Sequence, residues 1–567
     1  MESLRPLAAV LVTAAAIIPI LASRGRPNLR EGWTLLAAVT NLVIVASMVP
    51  GVLNGTTYET TIGTFVPGVE FSLQADALGV LFGLLASLLW LVTSFYSIGY
   101  MRGLDEHDQT RYFAAFAASV ASAVGIAFAA NLLMLFVFYE LLTVATYPLV
   151  SHDETDEARA AGRKYLTYTF GGGVAVLAGS VMVYWLTGTT AFTPGGIAAL
   201  AGADPLYARV AFGLLITGFG VKAALMPLHS WLPDAMVAPT PVSGLLHAVA
   251  VVKSGIFGIA RVILDTYGPE TVAQIGMGIP LAALAAFTLV TASVIALRQD
   301  NLKRRLAFST VSQLSYIVLG LAVGAAAAPG AAARYALIGG LLHIPAHAFM
   351  KLTLFFCAGA IHVETHTDDI SDMAGIGKRM PLTMTAFGVA ALGMAGIPVI
   401  AGFVSKYFLL IGTVSAGYLA FTGALLLSGI LNIAYFWPVV YAAFFESKEG
   451  TDAKPLIENP IGGRLFGDDA EELATDGGHV DDDDTDDADD HDEHGYADDH
   501  EGDHGDHHGH GGDWDVRGWA GQESTWFMLG PILFAASGSI LLGVVPDAAV
   551  FLRIVREVVF AVTGVRV

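Results

Sequence analysis

Residues 131–150 read NLLMLFVFYELLTVATYPLV. Twenty residues this apolar are what an α-helix needs to cross about 30 Å of hydrocarbon at 1.5 Å per residue. Near the middle of the run stands one charge, Glu140. A lone carboxylate at membrane depth costs free energy, so the same stretch that announces a membrane span also announces a functional group. Working outward, apolar runs of spanning length recur in both directions. They predict fourteen transmembrane helices, near residues 4–22, 32–52, 77–101, 112–130, 132–150, 165–187, 207–227, 241–263, 273–296, 305–325, 333–361, 383–412, 415–445 and 525–545. The first is read as a permanent span, because it has little flanking charge and no small-residue cleavage site before Arg24. A short amphipathic tail, Val550 to Val562, follows the last.

Composition agrees. Of 567 residues 54% are hydrophobic and only 14% charged, where a soluble chain carries about a quarter. The fold class expected is therefore an all-α integral membrane protein. The net charge of −22 is concentrated: residues 451–520 hold 24 Asp and Glu against Lys454, Arg464 and Arg517. The rest of the chain is close to neutral. The single large charge block has the wrong sign for a nucleic-acid partner. One cysteine, Cys357, excludes an internal disulfide, and its apolar surroundings favour a packing role.

Sidedness follows from the basic residues in the loops. Loops after odd-numbered helices carry Arg24, Arg26 and Arg30; Arg102 and Arg111; Arg159, Arg163 and Lys164; Arg298, Lys303, Arg304 and Arg305; and Lys378 and Arg379. Loops after even-numbered helices are nearly bare, and residues 50–76 contain no Lys or Arg. The N-terminus is thus expected outside, in a cell membrane, with the odd loops in the cytoplasm. The acidic segment, Thr451 to Ser524, falls in the cytoplasmic loop before helix 14. It carries eight histidines between His479 and His510 but no cysteine and no fixed ligand spacing, so a solvated loop is the reading and no metal site is assigned.

Glu140 is one of a set. Lys222 lies in LLITGFGVKAALMPLHSWLP, and Lys253 in SGLLHAVAVVKSGIFGIA with His247 six residues earlier. His343, His347 and Lys351 recur every four residues, so a continuous helix would stack them on one face. Lys406 lies in GMAGIPVIAGFVSKYFLLIG. A lysine near a helix end can snorkel to the interface. Four separated lysines with one glutamate fit an internal proton or ion path better. Burial disfavours charge and a counter-charge restores it, so a Glu–Lys pair acts as a switch. Neutral histidines relay protons between lysines. No redox cofactor is needed, and the chain carries no motif for one. Pro227 and Pro233 after Lys222, and Gly396, Pro398 and Gly402 before Lys406, predict breaks in helices 7 and 12. Broken helices at membrane depth line cavities and mark ion sites in transporters. Their spacing hints at a repeat of helices 4–8 in 9–13, inverted because five crossings are odd.

Several stretches together resemble the antiporter-like subunits shared by Mrp-type multisubunit sodium/proton antiporters and respiratory complex I. They are DALGVLFGLLASLLWLVTSFYSIGYM from Asp76, the Glu140 helix, KAALMPLHSWLPDAMVAPTPVSGLLHAVAVVKSG from Lys222, HAFMKLTLFFCAGAI from His347, and GIPVIAGFVSKYF from Gly396. The resemblance implies fourteen helices with two inverted five-helix repeats. It implies that Glu140 and Lys222 form the ion pair of a first half-channel. Lys253 and His247 would link it to a second, ending at Lys406 past His343, His347 and Lys351. The expected organisation is residues 1–110 as helices 1–3, 111–265 and 266–446 as the half-channels, 447–524 as the acidic loop, and 525–567 as helix 14 with its tail. The loop YSIGYMRGLDEHDQTRYFAAFAAS looks most like the D component of the Mrp-type antiporters. Lys406 fits that, since the proximal complex I member commonly has a glutamate there, and ending at Val567 sets the chain apart from the longer distal member. The implied function is monovalent cation/proton exchange with other membrane subunits as partners. A proton-pumping subunit of a complex I type NADH:quinone oxidoreductase, or a membrane partner for bicarbonate uptake, stays open as an alternative. The acidic insertion departs from the family pattern.

Overall fold

The computed structural model describes residues 1–447, 522–548 and 550–566. Most of the acidic segment, including the histidines from His479 to His510, lies outside the described residues. Among the described residues, twelve helices are long and apolar enough to cross a membrane. They are α1 (Arg5–Ala22), α2 (Pro27–Val52), α3 (Ala77–Gly103), α4 (Gln109–Phe128), α5 (Leu132–Val150), α6 (Asp156–Thr187), α8 (Thr240–Thr266), α9 (Gly278–Ala296), α10 (Leu302–Ala326), α11 (Ala331–Thr365), α13 (Leu419–Phe445) and α14 (Trp526–Val544). The expected helices 7 and 12 are the exceptions, and both are broken. The first, α7 (Pro205–Lys222), stops at Lys222 rather than near 227. The second is two halves, α12a (Pro381–Ala395) and α12b (Ala401–Ser415), rather than one helix over 383–412. Helix α6 also starts nine residues earlier than expected, where Thr155 caps Ala158 N. The tail forms α15 (Val550–Thr563), whose apolar face packs on α3 and α11.

A feature the apolar pattern did not announce is a two-stranded antiparallel hairpin, β1 (Tyr58–Val66) and β2 (Val69–Ala75). Its sequence is rich in Thr, Val, Phe and Tyr, which suit a pleated surface. Gly68 turns the chain at φ +83°. An added Cβ there would lie 2.3 Å from Gly188 O, so this turn also needs the glycine for close packing.

The loops sort onto two faces. On one, the N-terminus, the hairpin and the loops after even-numbered helices are joined. The Met1 amine donates to Thr57 O at 2.9 Å, Asn131 Nδ2 to Glu70 O at 2.7 Å, Thr193 N to Asp265 O at 2.9 Å and Arg209 Nε to Ile275 O at 2.8 Å. On the other, Arg30 to Gln109 at 2.7 Å, Lys164 to Asp234 at 2.6 Å and Leu302 N to Asp368 O at 2.9 Å join the loops after odd-numbered helices. The alternation expected of fourteen crossings therefore holds. Helices α4 to α8 pack in succession, and α9 to α13 do the same. Each run makes five crossings, so the second begins on the opposite face from the first.

Candidate functional site

The first group lies between α5, α6 and α7. Lys222 ends α7 and is fully buried. Its Nζ donates to Tyr139 O at 2.6 Å and sits 3.5 Å from the centroid of the Tyr139 ring. Tyr139 in turn donates to Gly218 O, tying α5 to α7. After Lys222 the chain reverses with Ala224 at φ +55°, and Trp231 Nε1 donates to Val221 O at 2.8 Å. Val221 O also accepts from Ala224 N at 3.1 Å, so the indole and the turn together hold the end of the broken helix. Glu140, the next residue along α5, presses its carboxylate against α6. A Cβ added at Gly173 would lie 1.8 Å from Glu140 Oε1. Among the described residues Oε1 has no hydrogen-bond partner and no cation within 4 Å. The implied Glu140–Lys222 ion pair is therefore not made in this conformation, because Lys222 is held by Tyr139 and Glu140 faces Gly173.

The centre lies between α8 and α11. Here α8 loosens into π-helical turns at Leu245–Val249 and Val262–Thr266. Such turns are frequent at functional sites, and the first contains His247. His247 is buried against Phe355, ring centroids 4.6 Å apart, with neither ring nitrogen bonded. Lys253 Nζ lies 2.8 Å from His347 Nδ1, which accepts from it. Helix α11 runs unbroken through Pro345, so His343, His347 and Lys351 do share one face. The rings of His343 and His347 are 6.1 Å apart.

From there α11 reaches α10, α12 and α13. His343 Nδ1 is 2.8 Å from Ser405 Oγ, and its Nε2 is 2.9 Å from Gln313 Oε1. A neutral imidazole donates through one nitrogen and accepts through the other. With Oε1 accepting from Nε2, Nδ1 must accept from Ser405, whose hydroxyl otherwise turns 3.2 Å away to Gly402 O. With the hydroxyl turned to Gly402 O, a proton arriving on His343 Nδ1 would be donated to Ser405 Oγ. Lys351 Nζ donates to Leu306 O and Ser309 Oγ, both at 3.0 Å. Tyr435 Oη donates its one proton to Asn432 Oδ1, so the Ser309 hydroxyl, 3.1 Å away, donates to Tyr435 Oη. Asn432 Nδ2 donates to Met394 O at 3.1 Å, and Lys406 Nζ donates to that same oxygen. Met394 O is available because α12a ends one residue later, at Ala395 before Gly396 with φ +92°. Lys406 also lies over the Tyr316 ring, 4.6 Å from its centroid. A single hydrogen-bonded chain thus runs from Lys406 through Met394 O, Asn432, Tyr435 and Ser309 to Lys351.

The eight residues singled out in the sequence fall into three clusters: Glu140 with Lys222; His247, Lys253 and His347; and His343, Lys351 and Lys406. Among the described residues none of the four lysines has a carboxylate within 4 Å; neutral carbonyls, hydroxyls, a ring nitrogen and aromatic faces hold them. The pattern of charges did not point to Tyr139, Ser309, Gln313, Met394, Ser405, Asn432 and Tyr435. Their only signal was polarity within apolar spans, and Met394 had none, since it acts through its backbone. On the face of the odd-numbered loops a crevice of about 660 Å³ opens between Lys164, Asp234, Lys303 and Asp368, mixing both charge signs.

A family model described as "NADH:quinone oxidoreductase/Mrp antiporter, TM" matches residues 129–431, more than half the chain and all eight residues above. The chain belongs to the NADH:quinone oxidoreductase/Mrp antiporter family. Within that family it is 32% identical over 444 residues to an NADH-quinone oxidoreductase subunit N from Desulforudis audaxviator, 77% of this chain and 85% of the relative. It is 34% identical over 405 residues to the A component of a Na(+)/H(+) antiporter from Alkalihalophilus pseudofirmus, 69% of this chain but only 49% of that one. A chain in the structure of the Mrp complex from a Dietzia species superimposes with a TM-score of 0.78 at 21% identity, covering 99% of this chain and 98% of that one. That likeness establishes the shared fold. This family member is a multi-pass membrane protein.

Proposed function

We propose that this chain is the proton-translocating membrane subunit of a multisubunit monovalent cation (sodium)/proton antiporter, in the position of the Mrp D component, assembled with other membrane subunits. The observation that carries the reading is the buried line of four lysines and three histidines, with one glutamate at its end and hydroxyl and amide groups between the members. The lysines, histidines and hydroxyls can exchange protons by reorienting, while the amide and carbonyl groups between them hold them in place, and no redox centre is required. In this reading Glu140 moves between Gly173 and Lys222. Pairing stabilises charge on Lys222, and parting releases its proton toward Lys253 and His347. The 111–265 and 266–446 regions act as two half-channels, and their opposite orientation opens them to opposite faces. The odd-numbered loops, richest in Lys and Arg, face the cytoplasm, placing the N-terminus outside in the cell membrane.

A second reading has its own support, the 85% coverage of an NADH-quinone oxidoreductase subunit N. There the same residues would pump protons for a complex I type enzyme. Everted membrane vesicles carrying the whole assembly separate the two. Sodium added to vesicles holding a pH gradient collapses that gradient, without NADH, if the antiporter reading is right. Acidification that requires NADH and quinone, with no response to sodium or potassium, would replace it with the second.

A further inference from the structure

On the face of the odd-numbered loops, outside the proton path, two turns meet. One joins α3 to α4 and carries Glu106 and His107; the other joins α5 to α6 and carries His152. The His107 and His152 rings stack with centroids 4.7 Å apart. Glu106 Oε2 lies 3.8 Å from His107 Nδ1 and 3.9 Å from His152 Nε2, and the three atoms all lie within 4.8 Å of one another. We propose that Glu106, His107 and His152 form a binding site for a transition-metal dication of the zinc class.

Two observations point to a ligand. His152 is fully buried, yet among the described residues neither of its ring nitrogens makes a hydrogen bond of good geometry. Buried polar atoms are nearly always bonded, and those that are not call for an explanation such as an ion. His107, by contrast, is already oriented. Its Nε2 donates to His152 O at 3.0 Å, which leaves the Nδ1 lone pair facing Glu106 and His152. Metal-ligating histidines characteristically donate their second nitrogen to a backbone carbonyl in this way.

Two imidazoles and one carboxylate are a donor set for zinc and its neighbours rather than for magnesium or calcium, which prefer oxygen. Bonds of about 2.0–2.1 Å in tetrahedral geometry put donors about 3.3 Å apart, so the two Glu106–histidine separations would close by about half an ångström and the His107–His152 separation by at most about 1.5 Å. The fourth position would fall to water. The nearby positive charge, Arg111, contacts Glu154 and Asp108 and donates to His152 O at 3.2 Å, so its charge is partly offset. A bound ion would bolt the α3–α4 turn to the end of α5, about three turns from Glu140. The spacing hides all this from the sequence, because 45 residues separate His107 from His152.

The test is zinc titration of the purified full chain against a chromophoric chelator, with an excess of Mg²⁺ present. Histidines of the acidic segment bind in every variant and cancel on subtraction. The intact chain is expected to hold one more tight equivalent than His107→Gln, an exposed position that tolerates change. His152→Gln should lose the same equivalent, while His229→Gln, far along the chain and outside the cluster, keeps it. The affinity lost should exceed the 10–100-fold typical of an outer-shell partner. Cobalt(II) should show tetrahedral ligand-field bands in the intact chain that vanish in His107→Gln. Equal tight stoichiometry in the intact chain and both cluster variants, or displacement of the extra equivalent by Mg²⁺, overturns the site.

Discussion

The α5–α7 region and the α10–α13 region each place a lysine beside a helix break, but they surround it differently. Lys222 meets one carbonyl and one aromatic face, and Glu140 stands apart with an unbonded oxygen. Lys406 and Lys351 are joined by an unbroken series of carbonyl, amide, phenol and hydroxyl groups. In the proposed mechanism the first region is a switch whose contacts must change for a proton to move. The second is a standing hydrogen-bond network: Met394 O, an acceptor only, anchors Lys406 and Asn432 without itself passing a proton. A gate in one half and a fixed scaffold around the lysines of the other suit a path that must never be open along its whole length.

The largest effect is expected from removing the gate. Glu140→Gln and Lys222→Ala should each cut transport by about 100-fold or more, the range a placed acid or base supplies, while the complex still assembles. Exchange in everted vesicles at matched protein level checks this, and full activity in either assembled variant sinks the switch. Lys406→Arg should come close behind. Arginine keeps the charge but stays protonated, with a pKa above about 12, and its fork would not fit a single carbonyl. If that variant exchanged normally, Lys406 would be a fixed charge rather than a carrier.

A sharper test of the contrast uses two nearby glycines that carry no titratable group. Gly173→Ala would place a methyl on the Glu140 carboxylate, whereas Gly171 has open space within 4 Å. We expect Gly173→Ala to lower transport about 10–100-fold by displacing the carboxylate, and Gly171→Ala to leave it near normal. Equal behaviour of the two would mean the position of Glu140 is not what sets the rate.

In the α10–α13 network, Asn432→Leu should slow transport about tenfold. It breaks the link between Met394 O and Tyr435, and a lost buried hydrogen bond is worth about 1–3 kcal/mol. Tyr435→Phe should cost about as much, because it cuts Asn432 from Ser309 and so from Lys351. The smallest effect is expected from deleting Asp468 to Asp513. Interactions between solvent-exposed charges are screened beyond about 8–10 Å at physiological ionic strength, so any change in apparent cation affinity should fade as salt rises. Transport lost at both low and high salt, with the complex assembled, would make that segment a working part.

The sequence by itself determined the membrane class, the count of crossings, their alternation and the identity of the ionisable groups. These are legible because hydrocarbon imposes one rule on every residue of a span: apolar side chains are cheap and a charge is not. Glu140, Lys222, Lys253, Lys351 and Lys406 therefore stand out one at a time. The places where helices 7 and 12 break were equally plain, since proline and glycine act locally. What only the tertiary structure decided is who meets whom. Asn432, Tyr435 and Ser309 are unremarkable in a string of letters and become one hydrogen-bonded network because α10, α12 and α13 converge near Met394 O. Glu140 and Lys222, a pair by type, are held apart by Tyr139 and Gly173. Glu106 and His107 meet His152 because two turns land on the same face. Hydrogen bonds and metal bonds act over about 2–3 Å between residues remote in the chain, and no local pattern records that distance.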